Sequence, residues 1–222
     1  MIIITRSKII KKYDVISFDV FDTLIKRETK NPSDVFLLVG NKVLGPDKGK
    51  IFKEDRIKAE LNARKLNECF ECNLENVYDM LPSVYDNYKE ELKNEEIRIE
   101  IQACHPKKKM VGFLNECLNN NKRVVIISDM YLSSAIIAKM LKRCGINNYE
   151  KLYVSNEYNT NKICGGLFQK AIKDLDIERK TMIHIGDSYT ADVKGARKVG
   201  IDSKLVIGKS MINRITSRLR KI

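Results

Sequence analysis

Tyr13-Asp14-Val15-Ile16-Ser17-Phe18-Asp19-Val20-Phe21, followed by Asp22-Thr23-Leu24, is the stretch that decides the fold. Its β-branched and aromatic residues follow one another with little polar interruption, the composition of a strand covered on both faces, as the central strands of a parallel sheet are. Asp22-Thr23 marks the turn that ends the run. The reading predicts a buried strand over residues 13–21 that carries a carboxylate, Asp19, close to its carboxyl end.

Four later runs have the same character, over residues 123–128, 151–155, 181–186 and 203–208, and all are short. Helical spacing separates them over residues 110–119, 133–143, 167–175 and 191–199, with Gly145 and Gly200 closing the second and the fourth. Strands alternating with helices imply a doubly wound α/β fold, a parallel sheet with right-handed crossovers and helices on both faces. Ligands in such folds lie beyond the carboxyl ends of the strands. Asp19, Ser128 and Asp187 each fall at or just past such an end, so distant parts of the chain converge on one edge.

Residues 28–106 break the rhythm. They hold no convincing strand and four charged helical stretches, over 33–44, 50–69, 74–88 and 90–103. Pro46 and Gly49 punctuate the first two, Pro82 kinks or divides the third, and His105-Pro106 marks the return. The expected organisation is an α/β core of residues 1–27 and 107–222 with an all-helical cap, residues 28–106, inserted in it.

A chain of 222 residues, 43% hydrophobic and 32% charged, has enough apolar surface for one core and a smaller module and excludes disorder. The apolar start Met1-Ile2-Ile3-Ile4 is interrupted by Arg6 and Lys8 before a signal-peptide core or a membrane span is complete. Six cysteines are too sparse for a secreted disulfide scaffold. These features predict a cytoplasmic protein with reduced thiols. The net charge of +12 is uneven: residues 28–107 carry 13 Lys/Arg against 16 Asp/Glu, and the excess of positive charge lies outside them. A basic body suits an anionic substrate. Nucleic acid is not expected, since no recognition motif and no aromatic series on a basic face is present.

Asp19-Val20-Phe21-Asp22-Thr23-Leu24, Ser128 at the next core strand's end, Lys162 six residues before Phe168, and Gly186-Asp187-Ser188 followed by Asp192, Gly195, Ala196 and Gly200 make four motifs in order. Any one is weak; four in order are specific. Over residues 13 to about 208 the chain resembles the haloacid dehalogenase superfamily. The resemblance implies that Asp19 is a nucleophile forming an aspartyl-phosphate. It implies that Ser128 and Lys162 hold the transferring phosphoryl group and that Asp192 orients Lys162 or a metal-bound water. Mg²⁺, which prefers hard oxygen ligands, is then expected on Asp19, the backbone carbonyl of Phe21, Asp187 and water, where it offsets the repulsion between Asp19 and phosphate.

The departure lies two residues after the nucleophile. Phosphatases of the superfamily carry there a second Asp that protonates the leaving group, and here the position is Phe21. Asp22 follows, either as a turn-forming side chain or as a displaced acid, although a one-residue shift along a strand reverses side-chain direction. Losing a general acid typically removes on the order of 10²–10⁴ in rate. The dehalogenase branch also has an aromatic at this position and works without metal. It has Asn after its strand-end Ser and lacks the metal-binding Asp of the last motif, whereas this chain has Asp129 and Asp187. Asp187, a carboxylate retained where only a cation makes it useful, favours Mg²⁺ and phosphoryl chemistry.

Residues 16–24, 128–132 and 162–168 further resemble hydrolases associated with bacterial surface-polysaccharide glycosyltransferases, which implies a sugar phosphate or a glycosyltransferase partner. The leading expectation is a Mg²⁺-dependent phosphohydrolase acting on a small phosphorylated metabolite. Its rivals are a catalytically weak binding or regulatory module of polysaccharide biosynthesis and a metal-independent 2-haloacid dehalogenase. Cys69-Phe70-Glu71-Cys72 has metal-clip spacing but lacks a second pair. Cys164 reads as a passive loop thiol, His105 as linker, and His184 as a core histidine hydrogen-bonded beneath the site. The tail 209–222 (KSMINRITSRLRKI) reads as a basic amphipathic helix that docks its apolar stripe on the core or, alternatively, meets a membrane surface or a partner.

Overall fold

The computed structural model describes residues 5–206; the basic tail 209–222 lies outside them. Helix α1 (Arg6–Lys12), capped by the Thr5 hydroxyl, buries Ile9 and Ile10 and leads into strand β1 (Val15–Phe18). Strand β2 (Ile25–Arg27), helices α2 (Asp34–Leu44), α3 (Gly49–Lys65), α4 (Leu74–Asp79) and α5 (Lys89–Gln102), and strand β3 (Cys104–Pro106) follow. The chain continues through α6 (Lys108–Asn119), β4 (Arg123–Ser128), α7 (Ser134–Arg143), β5 (Lys151–Val154), α8 (Gly166–Leu175), β6 (Met182–Gly186), α9 (Gly195–Lys198) and β7 (Asp202–Leu205).

The five strands β5-β4-β1-β6-β7 form one parallel sheet in that order, the doubly wound architecture expected. Strand alternation divides its residues between two apolar layers. Ile16, Phe18, Val124, Ile126, Ile183 and Ile185 face one, with Phe113, Leu114, Ile137 and Met140 of α6 and α7. Val15, Val125, Ile127 and Met182 face the other, with Leu167, Phe168, Ala171 and Ala196 of α8 and α9. The register pairs Phe18 with both Ile126 and Ile185, so the strands flanking β1 end beside it and their following loops meet.

Several boundaries differ from the sequence reading. The first strand contracts from 13–21 to Val15–Phe18, because Tyr13 caps α1 and the N–H groups of Leu24 and Ile25 turn back onto the Val20 carbonyl at 2.9 and 3.0 Å. Residues 28–106 are not free of strand: β3 pairs antiparallel with β2, Ile25 opposite Pro106 and Arg27 opposite Cys104. Three-residue strands are too short for period-2 alternation to register. The stretch 74–88 divides at Pro82 into α4 and a 3₁₀ turn, and 50–69 ends at Lys65, since Cys69 and Phe70 take left-handed φ of 56° and 60°. Residues 191–199 become a π turn over Tyr189–Lys194 and the short α9.

The helices between β2 and β3 turn part of their charge inward. Arg56 of α3 is fully buried, its guanidinium held by both Glu96 oxygens of α5 at 2.9 and 2.7 Å and stacked on the Phe36 and Tyr131 rings at 4.4 and 4.8 Å. A buried charge persists only with such pairing. Tyr131 follows β4, so this contact ties the helical insertion to the sheet. Among the described residues no helix is long and apolar enough to cross a membrane.

Candidate active site

Asp19 follows β1, and its N–H donates to the Ile185 carbonyl at 2.9 Å, which fixes the loop against β6. The residue is buried, with a relative exposure of 6%. Ser128 ends β4 and Asp187 follows β6. Lys162 arrives on the long loop between β5 and α8, where its N–H donates to Asp129 Oδ1 at 3.0 Å and its carbonyl presses on Gly195. A Cβ at Gly195 would collide with that carbonyl, and one at Gly186 would collide with the Asp192 carboxyl. These close approaches are what the two motif glycines allow.

Lys162 Nζ donates to Asp19 Oδ1 at 2.6 Å and to Asp192 Oδ1 at 2.5 Å. Asp192 also accepts the Ser188 N–H on Oδ2 at 2.7 Å and faces His184 Nε2 at 3.1 Å. A carboxylate only accepts, so Nε2 carries the imidazole proton and Nδ1 is left to accept from the Ser17 hydroxyl at 2.8 Å. Burial holds His184 below its ordinary pKa, consistent with this neutral tautomer. His184 thus lies beneath the site, as its strand position suggested, and braces Asp192.

Three carboxylates surround one ammonium. Burial opposes ionisation of Asp192, but Lys162 and His184 outweigh it and hold its pKa below the ordinary carboxylate range. Burial works against the Lys162 charge too, and Asp19 and Asp192 more than compensate. Asp19 comes off worse: burial pushes its carboxyl up and Lys162, already shared with Asp192, offsets only part of the rise. Asp187 is pushed up to about 6 by burial and then by the charges of Asp22 and Asp192. Asp19, Asp187 and Asp192 each offer an oxygen within 4.8 Å of the others. Such a hard-oxygen set, short of positive charge, fits a small divalent cation such as Mg²⁺.

A cavity of about 300 Å³ opens over this cluster, with Phe21, Asp22 and Arg27 also in its wall. The buried hydroxyls of Ser128 and Thr23 have no partner among the described residues, leaving them as spare donors. Asp22 stands in a left-handed turn with φ 56° and an exposed side chain, and its carbonyl is met by the Lys107 ammonium. Asp19, Lys162, Asp187 and Asp192 are brought into direct proximity, while Ser128 is buried at the end of its strand and Asp22 reaches only the cavity wall. Arg27 and Asp129 were not singled out as site residues. Asp129 had its position after Ser128 to mark it; Arg27, on a three-residue strand, had no signal.

A second cavity of about 560 Å³ adjoins the first, between α2, α3 and the Met130-Tyr131 segment, and shares Arg27, Pro32 and Met130 with it. Cys69 and Cys72 belong to no metal-competent cluster among the described residues.

Comparison with known proteins bears on the same region. The profile of the haloacid dehalogenase-like hydrolases matches residues 39–206, which include Ser128, Lys162, Asp187 and Asp192 and begin after Asp19. Haloacid dehalogenase-like hydrolase domain-containing protein 3 of Xenopus laevis is 29% identical over 98 residues, 44% of this chain and 39% of that relative. The match therefore spans about two fifths of the relative's length. Among solved structures, YfnB of Bacillus subtilis with magnesium bound aligns with a TM-score of 0.65 at 18% identity over 88% of this chain and 89% of its own. The 2-haloacid dehalogenase of Pseudomonas syringae pv. Tomato DC3000 aligns at 0.64 and 13% over 93% and 99%. A HAD phosphatase of Thermococcus onnurineus aligns at 0.58 and 16% over 87% and 86%. A dehalogenase and a phosphatase share this fold, so the fold does not choose the reaction. Sheet order, converging loops and the match over residues 39–206 lead to one assignment: the chain belongs to the haloacid dehalogenase-like hydrolase family.

Proposed function

We propose that the chain is a Mg²⁺-dependent phosphohydrolase acting on a small phosphorylated metabolite through an aspartyl-phosphate on Asp19. The observation that carries this reading is the crowding of Asp19, Asp187 and Asp192 within 4.8 Å, with the Lys162 ammonium bonded to two of them. A metal-independent dehalogenase has no use for Asp187 in that position. Asp19, Asp187 and the Phe21 carbonyl would hold Mg²⁺, which supplies the positive charge that lets a carboxylate approach a phosphate.

The remaining work falls to the protein's own groups. Asp19 attacks phosphorus, an oxygen–phosphorus bond forms on its carboxylate, and the bond to the leaving oxygen breaks. Lys162 and the Ser128 hydroxyl hold the equatorial oxygens. Asp192, pinned by His184 and the Ser188 N–H, keeps the Lys162 ammonium in place. Water then attacks the same phosphorus, the bond to the Asp19 oxygen breaks, and phosphate leaves carrying the water's protons as the carboxylate is restored. The purified protein, assayed with and without Mg²⁺ on a panel of phosphate esters beside Asp19→Asn, should turn over only with the metal and the carboxylate. Turnover independent of either one would overturn the reading.

Phe21 favours a second reading, halide displacement through an Asp19 ester. Halide release from a 2-haloacid in the presence of EDTA would establish it. A catalytically weak binding module, the third reading, should fail to take up beryllium fluoride with Mg²⁺, whereas a competent Asp19 and metal site should bind that phosphoryl mimic.

A further inference from the structure

The general-acid position is filled by Phe21, and the Arg27 guanidinium lies over the Phe21 ring with its carbon 4.2 Å from the centroid. Arg27 is fixed there from behind. Its Nε and Nη2 donate to the two oxygens of Glu100 at 2.7 and 3.1 Å, and the side chains are 11% and 1% exposed. Nη1 meets no acceptor among the described residues. The side chain lines both cavities, standing at the threshold between the chamber of Asp19 and the one under α2 and α3. The walls of that second chamber are largely apolar, with Phe36, Ile57, Leu61, Met130 and Tyr131, and its remaining charges are paired, Arg64 with Glu60 at 2.8 Å and Arg27 with Glu100.

We propose that Arg27 is a catalytic residue that stabilises negative charge on the leaving oxygen, in place of the absent general acid, for phosphate esters whose organic part is apolar and sits in the adjoining chamber. The inference rests on the phosphohydrolase reading above. When the phosphorus–oxygen bond breaks, the electron pair stays on the leaving oxygen, the Nη1 N–H donates to that anion, and a proton from solvent completes the alcohol or phenol. A donor fixed before reaction by a buried carboxylate and an aromatic face costs little reorganisation, which is what makes such a group effective. A guanidinium lowers the energy of the anion without giving up its proton, so its benefit grows with the basicity of the leaving group.

The test is a leaving-group series with the Mg²⁺-loaded protein: p-nitrophenyl phosphate, phenyl phosphate and an alkyl phosphate. Arg27→Met alone strands the buried Glu100, so Arg27→Met/Glu100→Gln is compared with it, and circular dichroism checks folding of both. The expected loss in kcat/KM is under about tenfold for p-nitrophenyl phosphate and on the order of 10²–10³ for the alkyl ester, the size seen when one oxyanion donor is removed. Arg27→Lys should recover part of the loss on the poor leaving groups. A uniform loss across the series in a folded, Asp19-dependent enzyme overturns the role of Arg27 alone. Absence of any Asp19-dependent turnover in the unmodified protein overturns the phosphohydrolase reading, and this inference falls with it.

Discussion

Among the described residues no cation forms a salt bridge with Asp187. Lys162 serves Asp19 and Asp192, while burial first and then the charges of Asp22 and Asp192 push the Asp187 carboxyl up to about 6, with Lys162 and Lys107 offsetting only part of the rise. Replacing Asp187 with a neutral isostere therefore removes repulsion from the protein and a ligand from the proposed metal site. At a Mg²⁺ concentration about 100 times Kd, linkage adds roughly 2.7 kcal/mol of stability, or about 5–10 °C of melting temperature for a chain of this size. Asp187→Asn should match or exceed the unmodified protein's melting temperature in EDTA and lose most of that Mg²⁺-induced rise. A thermal shift assay decides it: an equal rise in both proteins means that Asp187 does not hold the ion.

The helical insertion is joined to the sheet by polar contacts as well as by β2 and β3. Arg56 of α3 and Glu96 of α5 are both fully buried, and Tyr78 donates its hydroxyl to Glu96 at 2.9 Å. Breaking one side of such a pair leaves an uncompensated charge, so Glu96→Ala should destabilise the protein by roughly 3–5 kcal/mol in urea titration. A loss under about 1 kcal/mol would show that water reaches Arg56. Nearer the site, Glu71 crosses from the insertion to accept the Ser155 hydroxyl on Oε2 at 2.6 Å, and Ser155 in turn accepts the Met130 N–H at 3.0 Å. Burial pushes the Glu71 carboxyl above its ordinary value, with Ser155 offsetting part of the rise. A group raised on folding contributes its full stability below its unfolded pKa and loses it as pH rises through the folded one. Glu71→Gln should therefore gain on the unmodified protein, in melting temperature, between pH 4 and pH 8. A difference that does not move with pH would mean that Glu71 titrates as if exposed.

One apolar cluster runs from Ile9 and Phe18 through Val39 and Phe52 to Val77 and Leu92, so the sheet and the helices between β2 and β3 share a continuous buried layer. Shared cores unfold together. The chain has no Trp and nine Tyr. Urea unfolding followed by tyrosine fluorescence and by far-UV circular dichroism should give one coincident transition, and separated midpoints would show that the insertion opens on its own. The same continuity places the second cavity between the α2–α3 pair and the core, with residues of both in its wall.

By itself the sequence determined the sheet and named most of the residues that meet around Asp19. The strand runs that place Asp19, Ser128 and Asp187 at one sheet edge were legible because buried parallel strands are written as uninterrupted apolar stretches, and Lys162 and Asp192 were legible only through the resemblance of their motifs to those of the superfamily. His184 was legible for the same reason as the strand runs: an imidazole inside such a strand must find partners beneath the site. The tertiary structure alone decided which side chains meet. It showed Asp192 bracing Lys162 through His184 and Ser17, it required Gly186 and Gly195 for close approach, and it set Arg27 over Phe21. Arg27 reaches the site through β2 and β3, whose pairing joins residues 25–27 to 104–106. No local pattern records that contact, because a three-residue strand has no periodicity and its partner lies beyond four helices. Periodicity reports which face of an element is buried; only the folded chain reports what lies against it.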